Sequence, residues 1–169
     1  MVKPILFSKF INTSVFNFEE LHNLYKNHPI NDLEVILDGV KHSLQYKPDV
    51  EQFANHKYSL IFVKAKEVKE TFYNLKKVFE LKFPQIKKAK QWDVHIYSSY
   101  SGESTSFNVH ADKADNVILQ TEGLSKWHLP NYFDTTLTTG DMIWIPKGVK
   151  HQCIPLNRRI SLSFAFWYY

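Results

Sequence analysis

Between residues 67 and 83 apolar side chains recur at Val68, Phe72, Leu75 and Phe79, four, three and four apart, with Lys and Glu between them. That period predicts an amphipathic helix ended by Pro84, its apolar stripe laid over a sheet. From residue 92 the period changes to two. Trp92, Val94 and Ile96 fall on one face and His95, Tyr97 and Ser99 on the other, so 92–99 is predicted as a strand whose second face walls a cavity. Short strands follow at 117–120, 126–129, 142–145 and 159–167, and the small polar residues of 98–106 make a loop, a natural rim for a substrate.

The front half is mixed. Residues 3–11 read as a first strand, and Asn17 as the N-cap of a helix over 18–28, with Glu19 and Glu20 in its first turn and Pro29 closing it. Residues 33–37 form a strand turned by Asp38-Gly39 into a hairpin, 50–54 a brief helix and 58–63 a strand. Many short strands behind a helix-bearing front predict a mainly β jelly-roll barrel with flanking helices. The length of 169 residues suits a single domain, in which residues 1–90 pack on a barrel core of 91–169.

Composition narrows the class. Apolar residues make up 44% and aromatics 15%, which fits a broad aromatic core, and no apolar run is long enough for a membrane span or a signal peptide. The expected location is cytoplasmic, and one cysteine, Cys153, excludes an internal disulfide and a Cys-rich zinc module. The net charge of +4 comes largely from Lys76, Lys77, Lys82, Lys87, Lys88 and Lys90. That cluster is either a solvated helix face or a contact for an acidic or nucleic-acid partner.

Candidate chemistry lies between residues 106 and 151. If 107–112 are extended, His110 and Asp112 point the same way, about 7 Å apart along the strand. His151 follows Gly140-Asp141, the apolar run 142–145 and Pro146-Lys147-Gly148, a turn, strand and turn that deliver a third ligand. Two imidazoles and one carboxylate leave open positions on an octahedral ion and suit non-haem Fe(II). The bland alternative is a hydrogen-bonded trio in a barrel. Of the other histidines, His22, His28, His42 and His56 read as surface residues, His128 faces away from Trp127, and His95 either lines the pocket or bonds a backbone carbonyl. Cys153 shares a face with His151 if that strand runs straight, and reads as a small core residue, not a ligand.

Residues 92–166 resemble the JmjC and cupin-like branch of the Fe(II)/2-oxoglutarate oxygenases. The resemblance is carried by His110-x-Asp112, Gln120-x-x-Gly123 followed by Trp127, Gly140-Asp141, Pro146-x-Gly148 before His151, and Ser161-Leu162-Ser163-Phe164 in the last strand. It implies a double-stranded β-helix in which His110, Asp112 and His151 hold Fe(II). It also implies 2-oxoglutarate as co-substrate, consumed as a C–H bond is hydroxylated or a methyl group removed. Relatives commonly carry Lys or Arg two residues after the glycine of the Gln-x-x-Gly element, where this chain has Ser125, with Lys126 one step on. Lys126 would serve as the anchor for the far carboxylate only if a bulge shifted the register. Arg159-Ile160-Ser161 resembles the Arg-x-Ser pair of other 2-oxoglutarate oxygenases, a second anchor, and Asn116 matches an asparagine that touches the co-substrate in asparaginyl-hydroxylase-like relatives. Tyr97, Tyr100, Trp144 and His95 are the expected pocket residues.

Two rival readings stand beside the oxygenase: a metal-dependent cupin enzyme that does not use 2-oxoglutarate, and a non-enzymatic metal- or ligand-binding module. The substrate class stays open among protein, RNA and small molecule, as does the oligomeric state. The sequence stops soon after the last strand, without the winged-helix region of larger ribosomal-protein hydroxylases, which counts against a ribosomal-protein substrate.

Overall fold

The computed structural model describes residues 3–12, 14–55 and 57–169, and His56 lies outside the described residues. Strands β1 (Ile5–Phe7), β2 (Leu33–Leu37), β3 (Val40–Ser43), β4 (Ser59–Phe62), β5 (Gln91–Ser99), β6 (His110–Ala111), β7 (Asp115–Glu122), β8 (Ser125–Leu129), β9 (Phe133–Leu137), β10 (Met142–Ile145), β11 (Lys150–Pro155) and β12 (Arg159–Trp167) run with helices α1 (Phe18–Asn27), α2 (Val50–Asn55) and α3 (Glu70–Lys82). Asn17 caps α1 as expected: its side chain accepts from Glu20 N–H while the Glu20 carboxylate accepts from Asn17 N–H. The hairpin at Asp38-Gly39 has both residues at positive φ, 51° and 79°, the twist a two-residue hairpin turn needs.

The strands form two antiparallel sheets, one ordered β1-β10-β7-β12-β5-β4-β2-β3 and the other β6-β11-β8-β9. From β6 onward the chain passes back and forth between them, which makes the jelly-roll, or double-stranded β-helix, predicted from the strand pattern. Two strand expectations need correction. The first strand is three residues long because the chain turns at Lys9, whose φ is 50° and whose N–H donates to Asp141. Strand β9 was not foreseen: its sequence FDTTL is mostly polar, as suits an edge strand with one face in solvent.

The larger sheet is covered on both faces, so its central strands are buried throughout and alternation sorts their side chains between two environments. Ile160, Leu162, Phe164 and Phe166 of β12, Val94 and Ile96 of β5, and Met142 and Trp144 of β10 join the helix-side core. There Phe72 and Phe79 of α3 meet Phe164 edge-on, with centroids 6.0 and 4.9 Å apart. Burying each such side chain contributes about 1.5–3 kcal/mol. The other face looks into the barrel, where Ile118, Trp127, Leu129, Leu137, Ile143, Ile145 and Val149 fill one part and polar side chains line the remainder.

Two histidines expected at the surface are built inward. His28 is buried against Phe62 with Nε2 at 3.1 Å from the Val63 carbonyl, because Pro29 folds the chain back under α1. His22 stacks on Tyr100. His42 is exposed, and His128 points outward to Asp134 at 2.6 Å.

Candidate metal centre

Strand β6 is short, and its pairing with β11 sets His151 directly opposite His110. Their rings lie 4.5 Å apart between centroids, tilted by 56°. Asp112 comes one residue after β6, in the turn toward β7, and is fixed there because its carbonyl accepts from Gly148 N–H at 3.0 Å. Asp112 Oδ1 is 3.9 Å from His110 Nε2 and Oδ2 is 3.5 Å from His151 Nε2. One ligand atom from each residue lies within 4.8 Å of the others, a spacing that can hold a metal ion.

The surroundings fit such an ion. Each histidine donates Nδ1–H to a backbone carbonyl two residues back, His110 to Asn108 at 2.8 Å and His151 to Val149 at 2.9 Å. That fixes the tautomer in which Nε2 carries the free lone pair, the state a metal requires. Trp127 stacks on His151 and Phe107 meets His110 edge-on, screening the site on two sides. Burial pushes the Asp112 carboxyl up, but the His151 and His110 imidazoles and the Asn116 amide outweigh it, so it stays ionised below the ordinary carboxylate range.

Behind the triad lies a small chamber of about 50 Å³, lined among others by Tyr97, Ile118, Trp127, Cys153, Arg159 and Ser161. Arg159 is buried. Its Nε donates to Ser99 at 3.1 Å and one guanidinium nitrogen to Ser161 at 2.9 Å, and no carboxylate lies within ion-pair distance among the described residues. A buried cation without a counter-charge is costly, so the chamber is electrostatically fitted to an anion. The Ser161 hydroxyl donates to Gln120 Oε1 at 2.8 Å, and Ser125 donates to the same oxygen at 2.7 Å. Burial drives the Tyr97 phenol and the Cys153 thiol well above their usual ranges, so both are neutral.

In front of the triad opens a cleft of about 420 Å³ that includes His95, Tyr97, Phe107, Lys113, Asn116 and Trp167. Burial lowers the His95 pKa, with Asp93 acting against it, which favours a neutral imidazole. Chamber and cleft share Tyr97, Phe107, His110, Asp112 and Ser163. They therefore meet at the triad, with Arg159 at one end of β12 and Trp167 at the other.

Four expected site residues stand elsewhere. Lys126 alternates out of the barrel and pairs with Asp134 at 3.5 Å, for β8 has no bulge to turn it inward. Ser125 faces inward but is engaged by Gln120 and the Trp127 indole, and lines neither cavity. Trp144 belongs to the helix-side core, stacked on Phe83 at 4.9 Å, because its neighbours Ile143 and Ile145 take the barrel face. Tyr100 packs among Phe18, His22 and Phe53, on the far side of the sheet. Asn116 donates to Asp112 Oδ2 at 2.6 Å. Ser99, read from the sequence as part of the cavity-wall face, accepts from Arg159. Sequence reasoning missed Phe107, Ser163 and Trp167, although stepping by two from Arg159 along β12 reaches Ser163 and Trp167.

No protein-family model and no curated protein matches this sequence. Among solved structures, that of YcfD from Escherichia coli aligns over 97% of this chain and 49% of its own, with a TM-score of 0.76 and 19% identity. The same protein, described as a ribosomal oxygenase, aligns at a TM-score of 0.72 and 19% identity in complex with cobalt and 2-oxoglutarate, covering 97% of this chain and 48% of that one. With cobalt and succinic acid it aligns at 0.73 and 19%, over 97% and 48%. This chain spans about half the length of those structures. At such identity the likeness establishes the fold alone, a double-stranded β-helix shared with these structures.

Proposed function

We propose that this chain is an Fe(II)- and 2-oxoglutarate-dependent oxygenase, with His110, Asp112 and His151 as metal ligands and Arg159 as the anchor for the far carboxylate of the co-substrate. The observation that carries the reading is the buried Arg159, lacking a carboxylate and opening on the chamber that the triad closes. When bound, Fe(II) and 2-oxoglutarate supply an oxidation of a C–H bond, with release of succinate and carbon dioxide. The protein's own part is positioning. The Asn108 and Val149 carbonyls hold the two imidazoles, Asn116 holds the Asp112 carboxylate, and Trp127 and Ile118 exclude water. The Ser161 proton is committed to Gln120, so Ser161 orients the guanidinium by accepting from it, and Arg159 makes the charged contact.

The substrate would enter by the cleft over His95 and Tyr97. The description of the fold neighbour YcfD as a ribosomal oxygenase supports a protein or RNA substrate here, a ribosomal one included. One observation favours the rival metal cupin without 2-oxoglutarate: Ser125 stands where relatives place a cation, and its hydroxyl is already engaged.

Anaerobic titration of the Fe(II)-loaded protein with 2-oxoglutarate, followed by the visible charge-transfer band of the chelate, separates the two. The oxygenase reading requires a saturable band that disappears in His110→Ala and weakens in Arg159→Ala. Iron bound without a band overturns it and leaves the plain metal cupin.

A further inference from the structure

We infer that the cleft takes a single-stranded polynucleotide, guided to it by the lysines that precede β5; this rests on the reading of the cleft as the substrate entrance. Lys87, Lys88 and Lys90 are exposed and make no ion pair among the described residues. The run does not end in open solvent. Lys90 N–H donates to the Trp167 carbonyl at 2.7 Å, and Gln91 pairs with Trp167 in register, so the lysines stop at a residue that walls the cleft. Lys113, also exposed and unpaired, lines the same cleft.

Aromatic rings share the cleft with Lys113. Trp167 and Phe107 are half-buried and line the cleft, and His95 and Tyr97 add polar atoms that make no hydrogen bond to the described residues. Lysines for phosphates, ring faces for unstacked bases and free polar groups for base edges form the combination that binds single strands. An acidic peptide would use the lysines but not the rings. The pocket-sized cleft of about 420 Å³ suits one splayed nucleotide and not a duplex.

The test is fluorescence anisotropy on the metal-free full chain with labelled single strands of about 12 nucleotides, RNA and DNA of one sequence, and with labelled oligoglutamate. The proposal expects saturable binding of at least one strand, weakened by salt. It also expects a loss of about tenfold or more in Lys87→Glu/Lys88→Glu/Lys90→Glu, a similar loss in Trp167→Ala, and recovery in Trp167→Phe. The RNA and DNA arms identify which sugar is preferred. No binding, binding indifferent to the lysine reversals, or oligoglutamate bound as tightly as either strand overturns it. Because neither iron nor 2-oxoglutarate is present, failure here is distinct from failure of the chelate titration.

Discussion

Asn116 donates its amide to the carboxylate oxygen of Asp112 that faces His151, at 2.6 Å, so the two ends of the β6–β7 turn are tied together beside the His110, Asp112 and His151 triad. The resemblance implies a place for Asn116 at the co-substrate, whereas its amide proton here serves the Asp112 carboxylate, which is proposed as a metal ligand. Partners that orient a ligand typically contribute 10–100-fold in metal affinity. Asn116→Ala is therefore expected to weaken cobalt or Fe(II) binding by roughly that factor while leaving the fold intact. Metal affinity equal to wild type, with 2-oxoglutarate binding impaired, would return Asn116 to the co-substrate.

Arg159 presents a conflict between stability and binding. Among the described residues its charge is met only by hydroxyls, and replacing buried charge with a well-packed apolar group is often neutral or stabilising by about 1–4 kcal/mol. Arg159→Met is expected to melt at or above the wild-type temperature without ligand, and to lose the thermal shift on adding 2-oxoglutarate to metal-loaded protein. At a hundredfold excess over Kd that shift corresponds to about 2.7 kcal/mol in the wild type. A variant that is destabilised but still shifted would mean that the guanidinium is structural.

The period change from helix to strand, the hairpin and the triad were legible in the sequence because each rests on local spacing. His110, Asp112 and His151 lie far apart in the chain only through β7–β10, and the turn signals before His151 show how it returns. What was not legible needed the partner strand. Trp144 sits in a run apolar on both faces, so alternation without a fixed register does not say which face sees the cavity, and Tyr100 follows the end of β5 in a small polar loop that has no period. Lys126 was settled by β8 pairing straight with β11, and Phe107 joined the cavity through a loop with no period at all.

Those corrections make a contrast that can be measured. Lys126→Ala removes only a half-exposed ion pair with Asp134 and is expected to change stability by less than about 0.5 kcal/mol, with 2-oxoglutarate binding unaltered. Trp144→Ala empties a site in the helix-side core beside Phe83 and is expected to cost about 3–5 kcal/mol. Urea melts of both variants suffice for the stabilities. If Lys126→Ala abolished co-substrate binding, the outward placement of β8's even-numbered residues would be wrong.

His95 offers a pH signature that belongs to the cleft and not to the ligands. Burial lowers its pKa below the ordinary imidazole value of about 6.5, so the unfolded chain takes up the proton before the folded one does. Above that value both states are neutral at this position and it contributes no slope. As pH falls through about 6.5 the unfolded state gains protons first, and the stability of the metal-free protein declines. His22, whose pKa burial and Arg158 also lower, contributes in the same sense and is present in any His95 variant, so a difference profile cancels it. His95→Phe is expected to track the wild type above about pH 7 and to become the more stable of the two relative to that baseline as the solution is acidified. Chemical denaturation at a series of pH values gives the comparison directly. Parallel profiles would mean that the imidazole is hydrated in the folded chain and that burial in the cleft does not hold it neutral.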